Sequence, residues 1–136
     1  MSYEVTITPM GNYLYVLAAG ASSVENATAL WKEISAASKI HNCFNILGEQ
    51  KISNSMSVTE AWSHHKIFAD EGITAKYLIA WVDHNPRTYE QTKFVRTVLA
   101  NRDMAYGRLF SDLETARSWL LKKIEEKEKK SSKPQD

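Results

Sequence analysis

Cysteine is almost missing from this chain. Cys43 is the only one in 136 residues, so no internal disulfide can form, which fits a reducing compartment. No apolar run approaches the roughly 20 residues that a bilayer-spanning helix needs. The N-terminus, Met1-Ser2-Tyr3-Glu4-Val5, lacks a basic segment followed by an apolar one, so no secretory leader is expected. An excess of one charge is missing too. Lysine and arginine number 17 against 16 acidic residues, a net charge of +1. Both signs are mixed along the chain, which removes the electrostatic case for nucleic acid or an anionic membrane as the main partner. The glycines stand singly and form no phosphate-binding loop. What remains is a cytoplasmic domain long enough to bury one core.

The longest apolar stretch is Lys76-Tyr77-Leu78-Ile79-Ala80-Trp81-Val82-Asp83. Its length and its branched and aromatic residues predict a strand buried on both faces. Upstream, Tyr3, Val5 and Ile7 alternate with Glu4, Thr6 and Thr8, the pattern of an edge strand. Pro9-Met10-Gly11-Asn12 is a turn by composition, and Tyr13 to Ala19 forms the second arm of an antiparallel hairpin. Cys43 to Leu47 and Gly107 to Phe110 read as two further strands, with Gly48 to Met56 a polar loop.

Four helices are expected. Capping boxes at Ser22/Glu25, Ser57/Glu60 and Ser111/Glu114 open three of them, and Asn85-Pro86 opens the fourth. Their apolar stripes are Ala27, Leu30, Trp31 and Ile34; Ala61, Trp62, His65, Phe68 and Ala69; Phe94, Val95, Val98 and Leu99; and Leu113, Ala116, Leu120 and Ile124. Gly72 stands where a helix C-terminal glycine belongs. From Glu125 the chain is charged and has no apolar anchor, so 125–136 reads as a fraying end and a disordered tail behind a domain of 1–124.

The order ββαβαβαβα implies an α/β fold, a five-stranded mixed and mostly parallel sheet with four helices on its two faces. That order, with Ile79-Ala80-Trp81-Val82, Phe94 to Arg102 and Arg108 to Leu120, resembles the SpoIIAA-like (STAS-like) superfamily. The resemblance is sharp from about residue 76 onward and consists of packing motifs. It implies a non-enzymatic regulatory or protein-interaction module of bacterial type, self-associating or bound to a protein partner. Lipid-transfer relatives in the wider grouping imply a second possibility, a small apolar or amphipathic ligand. The anti-sigma-factor antagonists of the group carry a phosphorylated serine after an aspartate, at the helix following the third strand. The matching segment here, Gly48 to Ser57, offers Ser53, Ser55 and Ser57 as phosphoacceptors but has no Asp-Ser pair.

In an open parallel sheet, ligands collect at the carboxyl ends of the strands. That edge gathers Ser22, Ser23, Glu49, Ser53, Ser55, Asp83, His84 and Arg87, with Ser111 and Asp112 beside them. Each has a plain structural alternative. Ser57 serves equally as a helix cap, and Arg87 as a solvated cation at a helix start, where it opposes the dipole and invites Asp83, Glu49 or a bound anion. An orphan hydrolase would need a serine, His84 and an acid in series. Asp83 and His84, adjacent at a strand end, tend to point to opposite faces, which works against their joining in that series. His64 and His65 diverge by about 100° on a helix and make no ligand pair, so neither a metal nor a cofactor is expected. All four tryptophans fall on apolar stripes or in the buried strand. An exposed one would argue for a partner surface.

Overall fold

The computed structural model describes residues 4–21, 23–52, 58–100 and 106–132. The elements are β1 (Glu4–Pro9), β2 (Leu14–Gly20), α1 (Val24–His41), β3 (Asn45–Ile52), α2 (Val58–Asp70), β4 (Leu78–Asp83), α3 (Pro86–Ala100), β5 (Tyr106–Phe110) and α4 (Leu113–Ser132). They form one sheet in the order β1-β2-β3-β4-β5. β1 pairs with β2 antiparallel, and the other pairings are parallel. The α/β class, the hairpin and the parallel remainder are as the sequence predicts.

The strand order decides where the helices lie. Each right-handed crossover steps to the next strand on the same side, so α1, α2 and α3 share one face. Their core joins Leu30, Trp31 and Ile34 of α1, Ile67 and Phe68 of α2, and Val95 and Leu99 of α3 to Val16, Ile46, Ile79 and Trp81 of the sheet. After β5 the chain crosses to the opposite face. There Ala116, Leu120 and Ile124 of α4 cover Leu47, Ala80, Val82 and Phe110. β4 is buried along its whole length, as expected of a central strand with helices on both sides.

Several boundaries differ from the sequence reading, each for a local reason. Ser23, not Ser22, caps α1: its Oγ accepts the Asn26 amide at 3.0 Å. Asp112, not Ser111, caps α4 through the Thr115 amide at 3.0 Å. Both replacements lie one residue nearer the helix than the expected box. β3 does not stop at Leu47. Gly48, Glu49 and Gln50 pair on one side with Val16, Leu17 and Ala18 and on the other with Trp81, Val82 and Asp83. Two neighbouring strands hold polar residues in the ladder that hydropathy places in a loop. α4 runs on to Ser132, helped by an i,i+4 pair between Lys129 and Glu125 at 3.2 Å.

α2 is rotated from its expected facing. His64, Ile67 and Phe68 are buried, while Trp62 is 43 % exposed and Ala69 is on the surface. Phe94 of α3 is 39 % exposed and packs edge-to-face on Trp62, with ring centroids 5.6 Å apart. Pairing with each other lets both rings stay at the surface of the α2/α3 seam. No helix among the described residues is long and apolar enough to cross a membrane.

Candidate functional site

Asp83 and His84 do point to opposite faces, and each finds a different partner set. Asp83 is 1 % exposed and sits under α3. Its Oδ2 accepts from Gln50 Nε2 at 2.9 Å, Thr88 Oγ1 at 2.6 Å and Thr92 Oγ1 at 3.2 Å, and its Oδ1 accepts the Asn85 amide at 3.0 Å. Gln50 also accepts from Trp81 Nε1 at 2.7 Å. A buried carboxylate surrounded by donors in this way ties β3, β4 and the first two turns of α3 together. Asp83 is therefore a structural anchor rather than part of an open edge.

His84 turns to the α4 face. Its Nε2 lies 2.5 Å from Glu49 Oε2. The other oxygen, Glu49 Oε1, accepts the Tyr15 hydroxyl of β2. Burial alone would raise the Glu49 pKa, but the Tyr15 and His84 hydrogen bonds and the charges of His84 and Lys51 outweigh it and lower the value. Burial, and then the contact with Glu49, pushes the Tyr15 phenol up to about 12. The result is a row of three groups, Tyr15, Glu49 and His84, ending at an imidazole whose side chain is 43 % exposed. Because the ionised carboxylate only accepts, it takes a proton from Nε2, and in the neutral form of the ring the lone pair then lies at Nδ1.

The row makes a pH prediction. A lowered carboxyl pKa means stability that is complete above its ordinary value of 4.5 and is lost as the pH falls through the lower folded-state value. The raised Tyr15 value acts at the other end, with stability lost as the pH rises from 10.0 towards about 12. In thermal melts from roughly pH 6 down to pH 3, wild type should lose its advantage over Glu49→Gln as the pH falls. A constant gap would contradict the assignment.

The remaining edge residues are not drawn together. Ser23 is spent as a cap. Arg87 is exposed, and its guanidinium has no hydrogen-bond or ion-pair partner among the described residues. Neither Asp83 nor Glu49 compensates it, since their contacts go elsewhere. Ser22, Ser53, Ser55 and Ser57 lie outside the described residues. No serine among the described residues bonds to His84.

One cavity of the described residues lies under α3, where two of its lining residues, Gln50 and Thr92, both bond Asp83. Strand order never reverses within the parallel part of the sheet, so no switch point opens a crevice at the strand ends. The helices change sides only around β5, with α3 before it and α4 after it. A cleft of about 110 Å³ opens there between α3 and the sheet. Trp31, Phe68, Ile79, Trp81, Val95 and Leu99 wall it, with Gln50, His64 and Thr92 as polar members. The Trp81 ring lies over Gly48 and beside Trp31, whose centroid is 5.1 Å away.

Along the β5 edge the cleft meets a wider groove of about 510 Å³, and the two share Arg96, Gly107, Arg108 and Leu109. The groove adds Lys93 and Tyr89 from α3 and Trp119 and Lys123 from α4, so among the described residues its lining carries four cations and no carboxylate, with Lys123 paired to Glu126 outside the lining at 3.5 Å. Arg96 reaches across it, Nε donating to Gly107 O at 3.1 Å. Sequence reasoning missed this place. The signal is nevertheless present: Tyr89, Lys93 and Arg96 fall at i, i+4 and i+7 on one helical face, and Trp119 and Lys123 at i and i+4. Neither a protein-family model nor a curated protein sequence matches the chain.

Proposed function

We propose that the protein binds a small amphipathic anion, a carboxylate with a short alkyl chain. The end of its alkyl chain enters the cleft between α3 and the sheet, and its carboxylate meets Arg96 and Lys93. The observation that carries this reading is the continuity of an apolar, tryptophan-walled cleft with a groove rich in cations. Ligand sites combine these features: apolar walls give affinity, and a few charges fix orientation. The cleft, about 110 Å³, is smaller than the roughly 150 Å³ cavity that accepts benzene, so it takes only the end of an alkyl chain, the rest lying in the groove. The chain order and the sheet are compatible with the SpoIIAA-like resemblance, and we infer membership of that superfamily.

Trp31 and Trp81 supply the test. Octanoate titrated into the protein should change tryptophan fluorescence saturably, and octanol at equal concentration should bind more weakly. Arg96→Gln should weaken octanoate about ten- to a hundredfold, the value of a charge-assisted hydrogen bond. Leu99→Trp, which fills the cleft, should abolish the response. Equal binding of octanoate and octanol, or a response unaffected by Leu99→Trp, would remove the reading.

A second reading, a regulatory module with a protein partner or a second copy of itself, is favoured by the exposed Trp62–Phe94 pair. Surface aromatics of this kind anchor interfaces. Sedimentation of wild type and Trp62→Ala would test self-association through that seam.

A further inference from the structure

We infer that His84 is a phosphoacceptor, its Nδ1 taking a phosphoryl group from a donor of the phosphoramidate class. The inference is independent of the α3/β5 cleft. Three features carry it. Glu49 accepts from Nε2, so the neutral form of the ring presents its lone pair at Nδ1. The ring is open to solvent while the carboxylate behind it is buried and braced by Tyr15. Arg87, three residues on, carries a guanidinium without a partner among the described residues, a charge able to meet an incoming phosphoryl group.

The step balances without a further reactant. The Nδ1 lone pair attacks phosphorus, the new N–P bond forms, and the donor's P–N bond breaks. The leaving amine takes its proton from water. The ring becomes a phosphorylated imidazolium that keeps Nε2–H, and the Glu49 carboxylate neutralises it. One P–N bond replaces another, so the exchange is close to even in energy.

The charged groups around the row come from two sides. Glu49 and Lys51 stand on β3, Asp112 before α4 and Arg117 on α4. Asp112 opposes an anion, but its Oδ1 is engaged with the Thr115 amide.

The chain contains its own control. His41, one of four histidines, is exposed at the end of α1, where no carboxylate partner holds it among the described residues. The folded protein is incubated with potassium phosphoramidate at neutral pH, and phosphohistidine is mapped and quantified by mass spectrometry, with the ring nitrogen identified by NMR. His84 should be labelled about tenfold or more faster than His41, at Nδ1. In urea the two rates should converge. Glu49→Gln should slow His84 about ten- to a hundredfold and leave His41 unchanged. Arg87→Gln, which disturbs no packing, should also slow His84 alone. Equal rates for His84 and His41 in the folded protein would overturn the proposal. So would labelling at Nε2, or Glu49→Gln reacting as fast as wild type.

Discussion

Replacing Asp83 by alanine should destabilise the domain by about 3–5 kcal/mol, because hydrogen bonds to a charged acceptor contribute about 1.5–3 kcal/mol each and the donors' second partners offset part of the loss. The variant strips the acceptor from Gln50 Nε2, Thr88 Oγ1, Thr92 Oγ1 and the Asn85 amide. Gln50 Nε2 keeps Thr92 Oγ1, Thr88 Oγ1 keeps Asn85 O and Thr92 Oγ1 keeps Thr88 O, but each loses the stronger carboxylate acceptor. For a domain of this size the melting temperature should fall by roughly 10–20 °C. Asp83→Asn keeps the shape and one acceptor oxygen, and should recover part of the loss. Calorimetry or circular dichroism reads both variants. A melting temperature for Asp83→Ala within a few degrees of wild type would show that the network contributes little to folding.

The second large effect is expected at Gly48. A Cβ there would lie 2.1 Å from Trp81 Cε3 and Cζ3 and 2.9 Å from Cη2, far inside contact distance. Trp81 has little freedom to yield. Its Nε1 is tied to Gln50, and Trp31 packs against it. Gly48→Ala should therefore cost about 1–3 kcal/mol or more through overpacking, and should displace the Trp81 ring that walls the cleft. Octanoate affinity should fall with stability. Combining Gly48→Ala with Trp81→Leu relieves the clash, so the double variant should be more stable than the sum of the two single losses predicts. Strict additivity would mean that the glycine is not there for the indole.

These two positions also show what a sequence does and does not disclose. The β4 strand, the hairpin and the helix count follow from apolar periodicity and turn residues, because burial of apolar side chains sets both. Glu49 and Gln50 break that link. Their burial depends on partners distant in sequence, Tyr15 and His84 for one, Trp81, Asp83 and Thr92 for the other. A hydropathy pattern cannot register such partners, so the carboxyl half of β3 reads as loop. The same blindness rotates α2, where buried His64 displaces His65, and Trp62 comes to the surface. Of the candidate edge, the Asp83/His84 divergence is legible from strand alternation alone. The pairing of His84 with Glu49 requires the β3–β4 register. The β5 cleft requires the strand order, which local patterns leave open.

That strand order has a consequence for how the chain is made. Every strand lies beside its predecessor, so each pairing closes a loop no longer than one intervening helix, and the closure entropy stays small at each step. Contact order is thus modest for a sheet that is mainly parallel, which favours rapid folding. During synthesis, each new β–α unit can dock on the one already laid down. The face covered by α4 is the exception. Leu47, Ala80, Val82 and Phe110 stay open to water until α4 has left the ribosome, so the nascent domain is at its most adhesive just before that helix emerges.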